Sequence, residues 1–300
     1  MKISVVISAY NEEKMIEDCL KSLKILADEI IFIDNTSKDN TVQIAKKFTK
    51  KIFVVTNNPV MLNTNKNFGF QKATGDWIIS LDADERLTSE LSREIREAIK
   101  SKNIFGYEIP RKNIIFGKWI QHSIWWPDYN LRLFKRGSGK FPQKHVHEKL
   151  AINGKVSQLK NPMIHYNYQT VSQFIKKMDN TYTESEVDNF IASGKSIYWF
   201  DAIKMPANDF FKTFFLEKGF NDGIHGLVLS MLQAFYSFVV FAKIWERKEE
   251  FRDITPQNFL LEFIKELKVQ GKDLRYWIYT TLMDEFKNKK IYYKILRKFR

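Results

Sequence analysis

Along the first hundred residues, short β-branched runs alternate with stretches whose apolar positions recur at helical spacing. Ile3 to Ile7 is nearly all apolar, with no polar residue at every second place, which predicts a strand covered on both faces. Ile16, Leu20, Leu23 and Leu26 then form one stripe with charges opposite, which predicts a helix. A second buried strand is expected at Ile30-Ile31-Phe32-Ile33, stopping at Asp34, and the turn-forming run Asn35 to Asn40 supplies an N-cap for a helix through about Phe48. Ile52 to Val55 reads as the third strand, Asn65 to Ala73 as a helix, and Trp77 to Leu81, after the turn residues Gly75 and Asp76, as the fourth strand. Four such alternations predict an α/β fold with a parallel, doubly wound sheet whose ligands bind at the carboxyl ends of the strands.

The pattern changes after Phe105. Phe105 to Ile109 and Asn130 to Phe134 read as strands separated by an aromatic, turn-rich segment from Phe116 to Asp128. From Val171 onward the periodicity is helical, punctuated at Ser193-Gly194 and Met205-Pro206-Ala207-Asn208. Two regions are therefore expected, 1–170 and a mainly helical, aromatic and basic 171–300. Within the second, Gly223 to Ala242 is uncharged and close to a membrane span in length, but His225, Ser230, Gln233, Ser237 and two glycines make its hydropathy marginal. Its neighbours Phe210, Phe211, Phe214, Phe215, Phe220, Lys243 and Trp245 point to an interfacial role.

Composition adds a partner. The net charge of +13 implies attraction to something anionic, and the tail beyond Glu285 interleaves lysines and arginines with Tyr292, Tyr293, Ile295, Leu296 and Phe299. That mixture suits peripheral adhesion to an anionic leaflet, and we expect a cytoplasmic protein on the inner face of the cytoplasmic membrane. Cys19 is the only cysteine, which fits a reducing compartment, and the opening apolar run is too short for a signal peptide. No RNP-like or helix-turn-helix pattern accompanies the charge, so no nucleic-acid partner is expected.

The chemistry gathers at strand ends. Asp82, Asp84 and Glu85 follow the fourth strand, Asp34 the second, and Ser8 to Glu12 the first. If the chain stays extended, Asp82 and Asp84 share a face around Ala83 and aim at one point, a convergent pair of hard oxygen donors suited to Mg²⁺ or Mn²⁺ and to a diphosphate. Thr88 is placed to cap a following helix. No Gly-x-Gly-x-x-Gly follows the first strand and no P-loop is present, so a nucleotide must be held by other means. Arg132 is chemically apt for phosphate, and is as readily read as a solvated strand arginine. His145-Val146-His147-Glu148 lacks both the spacing of a helical zinc site and cysteine partners.

Together, Val5 to Glu13, Ile33 to Thr41, Lys66-Asn67-Phe68-Gly69 and Asp82-Ala83-Asp84-Glu85 resemble, in order and spacing, the family 2 glycosyltransferases of the GT-A fold. Gly75-Asp76-Trp77, Leu81 to Glu85, Arg132-Leu133-Phe134 and Val146-His147-Glu148 are most similar to the lipopolysaccharide-core β-1,4-glucosyltransferase branch. The resemblance implies that Ala9, Tyr10, Asn11, Glu12 and Asp34 hold the base and ribose of a UDP-sugar, with Lys66, Asp82, Ala83 and Arg132 also lining the donor. It implies a divalent cation, Mg²⁺ or Mn²⁺, bound by Asp82 and Asp84 and completed by His147 or His165. Glu148 would be the base of an inverting transfer of a hexose, glucose in this branch, to an anionic lipopolysaccharide-core or other lipid-linked acceptor. A sugar-phosphate nucleotidyltransferase is the alternative on the same sheet, although its glycine-rich loop is missing. A basic membrane- or nucleic-acid-binding module without chemistry is the alternative from another class.

Overall fold

A computed structural model of the chain describes residues 1–57, 62–142, 149–248 and 256–298. These residues form two compact units, one of 1–119 and 126–169, the other of 120–125 and 170–300.

In the first unit, β1 (Ile3–Ala9), α1 (Ile16–Ser22), β2 (Glu29–Asp34), α2 (Thr41–Ala45), β3 (Ile52–Val54), α3 (Leu62–Lys72) and β4 (Trp77–Leu81) follow the predicted alternation. Then come β5 (Glu85–Arg86), α4 (Ser89–Ala98), β6 (Gly106–Ile115), β7 (Lys118–Trp119), β8 (Asp128–Lys135), β9 (Gly139–Lys140), β10 (Ala151–Ile152), β11 (Val156–Gln158) and β12 (Met163–Tyr166). The continuous apolar runs serve two cores at once. Ile3, Val5, Ile7, Phe32, Trp77, Ile79 and Leu81 pack into one buried cluster with Ile16, Cys19 and Leu20 of α1 and Leu91 and Ile95 of α4. Val6, Ile31, Ile33 and Ile78, the alternate residues of the same strands, pack into a second with Phe70 of α3, Phe134 and Phe141. Each fully buried aliphatic side chain contributes roughly 1.5–3 kcal/mol, so both faces hold these strands in register.

The main sheet runs β3-β2-β1-β4-β8-β6-β12-β5. Its first four strands are parallel, as expected. Beyond β4 the sheet is mixed: β8 is antiparallel to both β4 and β6, and β12 is parallel to β6 and antiparallel to β5. The mostly parallel sheet expected from the alternation is thus parallel as far as β4 and mixed beyond it, where β6 and β8 are joined without a crossover helix. Thr88 caps α4 as predicted, its hydroxyl accepting from Leu91 N at 3.1 Å.

The second unit is helical: α5 (Val171–Lys177), α6 (Glu184–Ala192), α7 (Asp201–Phe210), α8 (Ile224–Lys248), α9 (Pro256–Glu285) and α10 (Lys290–Lys298). Gly194, at φ +67°, ends α6, but Pro206 lies inside α7 rather than between helices, at the cost of one backbone bond of that helix. The apolar segment expected at 223–242 is α8, which by length and composition can cross a membrane. Its Leu229, Val240, Phe241 and Ile244 are buried, while Ile224, Leu227, Met231, Phe235, Phe238 and Trp245 are exposed. Lys243 is held by Asp179 at 2.7 Å and Glu184 at 2.6 Å, so its charge ties α8 to the preceding helices and is spent within the unit.

Candidate active site

The carboxyl ends of β2, β1 and β4 lie side by side, with Asp34 opposite Ala9 and Leu81 opposite Ile7 in the two parallel registers. At the end of β1, the buried Ala9 offers its carbonyl to Asn35, whose backbone and side-chain nitrogens donate at 2.9 and 2.8 Å. Tyr10 is exposed, and Asn11 turns the chain at φ 54°. This loop is laced to the one after β2: Asn11 N donates to Ser37 Oγ at 3.0 Å, Lys38 N to Asn11 Oδ1 at 2.8 Å, and Glu12 N to Thr41 Oγ1 at 2.7 Å. Thr36 sits at φ 60°, a strained conformation for a β-branched residue, held by these bonds.

Asp34 is 1% exposed. Its Oδ2 accepts from Ser37 N at 3.0 Å, while Oδ1 is buried and has no hydrogen-bond partner among the described residues. A buried carboxylate oxygen left this way costs about 1–3 kcal/mol or more, which a ligand N–H or hydroxyl can recover.

Around β4 the chain does not remain extended. Glu85 N donates to Asp82 O at 3.0 Å, closing a turn that sends Asp82 and Asp84 to different partners. Asp82 Oδ1 meets Lys66 Nζ of α3 at 2.6 Å and Oδ2 meets Arg132 of β8 at 2.7 Å. Burial would raise the Asp82 carboxyl, but the Arg132 and Lys66 charges outweigh it and hold the group well below the usual carboxylate range. Arg132 reaches the fully buried Glu85 at 2.6 Å as well, and Glu85 accepts from Asp82 N at 2.9 Å. Burial alone would lower the Arg132 guanidinium, and the two carboxylates more than reverse that. Arg132 Nε is buried without a hydrogen-bond partner among the described residues. Ala83 is buried, its carbonyl accepting from Arg86 at 2.6 Å.

Asp84 faces His165 of β12, with Oδ2 to Nε2 at 3.6 Å, too long for a hydrogen bond. The edge is fixed by the backbone bond from Tyr166 N to Asp84 O at 2.9 Å. Two ligands on one Mg²⁺ or Mn²⁺ ion sit about 3 Å apart or more, so this pair suits an ion that takes its other ligands from water and phosphate. No group of three His, Cys, Asp or Glu side chains among the described residues is arranged to hold a metal. His147 and Glu148 lie outside the described residues.

Three residues of this region escape sequence reasoning as site residues: Arg111, Asn113 and Asp128. Arg111 binds Asp128 at 2.7 Å, and Asn113 joins Asp128 to His165. Their one sequence signal is the placing of Arg111 and Asn113 at alternate positions of β6, which sets both on one face.

Comparison with known proteins places this geometry in a family. The model of "Glycosyl transferase family 2" matches residues 4–154. An uncharacterized glycosyltransferase of Rickettsia felis is 30% identical over 82% of this chain and 90% of its own. The lipopolysaccharide core biosynthesis glycosyltransferase LpsC of Rhizobium meliloti is 26% identical over 82% of this chain and 93% of its own. Among solved structures, S. aureus TarS 1-349 in complex with UDP-GlcNAc aligns with a TM-score of 0.45 and 16% identity, over 84% of this chain and 93% of that one.

Proposed function

The chain belongs to glycosyl transferase family 2, and from that premise we propose that it moves a hexose, glucose in our assignment, from a UDP-sugar to an anionic lipopolysaccharide-core or other lipid-linked glycan. The observation that carries the proposal is the row of Asp34, Ala9 and Asp82 to Asp84 at the ends of three adjacent strands. Asp34, with its buried and unmatched Oδ1, would take an N–H or hydroxyl of the nucleoside, between the loops at Tyr10 to Glu12 and Asn35 to Asn40. Lys66 and Arg132, already drawn to Asp82, would present their positive charge to the diphosphate.

Asp84 and His165 are the described side chains that would hold Mg²⁺ or Mn²⁺, and Asp82 would act through the two cations it anchors. The bound ion would supply charge neutralisation for the departing nucleoside diphosphate. Glu148 would accept the proton of the attacking acceptor hydroxyl, and His147 would stand beside it in sequence. In assays that follow UDP release from a panel of UDP-sugars with a lipid-linked acceptor, Asp84→Ala should abolish transfer while thermal unfolding stays within the range of surface variants. Wild-type rates in metal-free buffer would refute the role given to Asp84.

For the acceptor side we propose peripheral contact with an anionic leaflet on the cytoplasmic face. Support comes from α9, where exposed Leu260, Ile264, Leu267, Leu274 and Ile278 recur at the spacing of one helix face, with Lys265, Lys268, Lys272 and Arg275 along one flank. Exposed Ile291, Tyr292 and Ile295 of α10 alternate with Lys290, Lys294, Arg297 and Lys298. Each near-surface cation contributes about 1 kcal/mol to adhesion. The protein should sediment with phosphatidylglycerol vesicles and be released by high salt. Equal binding to uncharged vesicles, or resistance to both salt and alkaline wash, would contradict peripheral, charge-driven attachment.

A further inference from the structure

The sheet register sets four polar side chains in a line. Asp128 of β8 stands opposite Arg111 of β6, Asn113 follows two residues later on the same face of β6, and Asn113 stands opposite His165 of β12. Asp128 Oδ2 accepts from Arg111 Nε at 2.8 Å and from Asn113 Nδ2 at 3.1 Å, and its Oδ1 accepts from Asn130 at 2.8 Å. Paired with a guanidinium, this carboxylate only accepts, so it turns the amide nitrogen of Asn113 toward itself and the amide oxygen toward His165. That oxygen lies 2.6 Å from His165 Nδ1, with Asn113 wholly buried and His165 nearly so. An amide oxygen cannot donate. His165 must therefore carry a proton on Nδ1, and its other nitrogen, Nε2, is directed at Asp84.

We propose that Asn113, oriented by the Arg111–Asp128 ion pair, is a positioning residue that fixes His165 in the tautomer protonated at Nδ1, leaving an Nε2 lone pair aimed beside Asp84 as a divalent-cation ligand. The role rests on the assignment of Asp84 and His165 to the cation site; the tautomer itself does not. It is the opposite of the preference of a free histidine side chain, whose neutral ring carries its proton mainly on Nε2, so the protein must impose it. A buried partner of this kind selects the tautomer, orients the ring and strengthens the ligand, and losing one lowers metal affinity about 10- to 100-fold.

The first test needs neither cation nor donor. In ¹⁵N-histidine-labelled wild-type protein at mildly alkaline pH, with the His165 signals identified by their loss in His165→Gln, Nδ1 should resonate as a protonated nitrogen and Nε2 as an unprotonated one. A ring protonated on Nε2 overturns the proposal, whatever the enzyme's activity. The second test is Mn²⁺ binding followed by electron paramagnetic resonance. Asn113→Leu, of similar volume, should weaken binding about 10- to 100-fold and shift His165 toward the Nε2–H form. Unchanged Mn²⁺ affinity in folded Asn113→Leu overturns the positioning role. Should that variant fail to fold, Asp128→Asn, which removes the acceptor-only partner while keeping the shape, should loosen the tautomer in the same spectra; an undisturbed tautomer there would overturn the proposed relay. A wild-type protein with the Nδ1–H tautomer that fails to bind any UDP-sugar would refute the donor assignment and leave the tautomer standing.

Discussion

Arg132→Met tests the charge network beneath the site. In the wild type one guanidinium nitrogen lies 2.7 Å from Asp82 and 2.6 Å from Glu85. Asp82 keeps Lys66 at 2.6 Å when Arg132 is lost, but among the described residues the fully buried Glu85 retains only Arg111, at 3.8 Å, and the N–H of Asp82. Removing one partner of a buried ion pair costs about 3–5 kcal/mol, because the remaining charge stays out of water uncompensated. With Arg111 still near, we expect the lower end, about 3 kcal/mol. Urea unfolding followed by tryptophan fluorescence would measure it. The double variant Arg132→Met/Glu85→Gln should be more stable than Arg132→Met alone, since the uncompensated charge is gone while the side chain can still accept from Asp82 N. The two losses should fail to add by about 1–3 kcal/mol. Losses that simply add, or a single loss under about 0.5 kcal/mol, a size ordinary for surface changes, would refute the network as described.

Other expectations follow from sites away from the chemistry. Burial would raise the Glu29 carboxyl, but Lys51, Ser4 and Thr74 together bring it from 4.5 down to about 2. A carboxyl lowered on folding stabilises above its unfolded value and loses that contribution as pH falls through the folded one. Glu29→Gln should therefore cost up to about 3 kcal/mol at neutral pH and almost nothing near pH 2, read from denaturation curves across that range. Gly226→Ala would bring a Cβ within 1.7 Å of the Gly219 carbonyl oxygen, so the start of α8 or the turn at Gly219–Asp222 must shift. A melting temperature equal to wild type would contradict that packing; a loss of about 1–3 kcal/mol is expected.

The parallel half of the sheet was legible because β1, β2 and β4 are buried on both faces, so their apolar runs stand out from the helices between them. The far half was less so. β5, β7, β9 and β10 are two residues each, too short to show a period, and β6 runs to Ile115, well past the apolar stretch that revealed it. Asp34, Asp82 and Asp84 announced themselves by position after strands. Their division of labour did not, since alternation along an extended chain presumes no turn, and the bond from Glu85 N to Asp82 O makes one. Asn113 lies past the strand read at Phe105 to Ile109 and Asp128 ends the segment read as turn-rich, and their significance lies in cross-strand register, which one sequence does not display.

Calorimetric titration of UDP-sugars into the wild type and Asp84→Asn, each with Mn²⁺ and with a chelator, bears most directly on the strand-end donor site. The wild type with Mn²⁺ should bind, and the chelator or the substitution should each weaken binding by at least about tenfold. Equal affinity in all four conditions, or no binding of any UDP-sugar by the wild type with Mn²⁺, would contradict it.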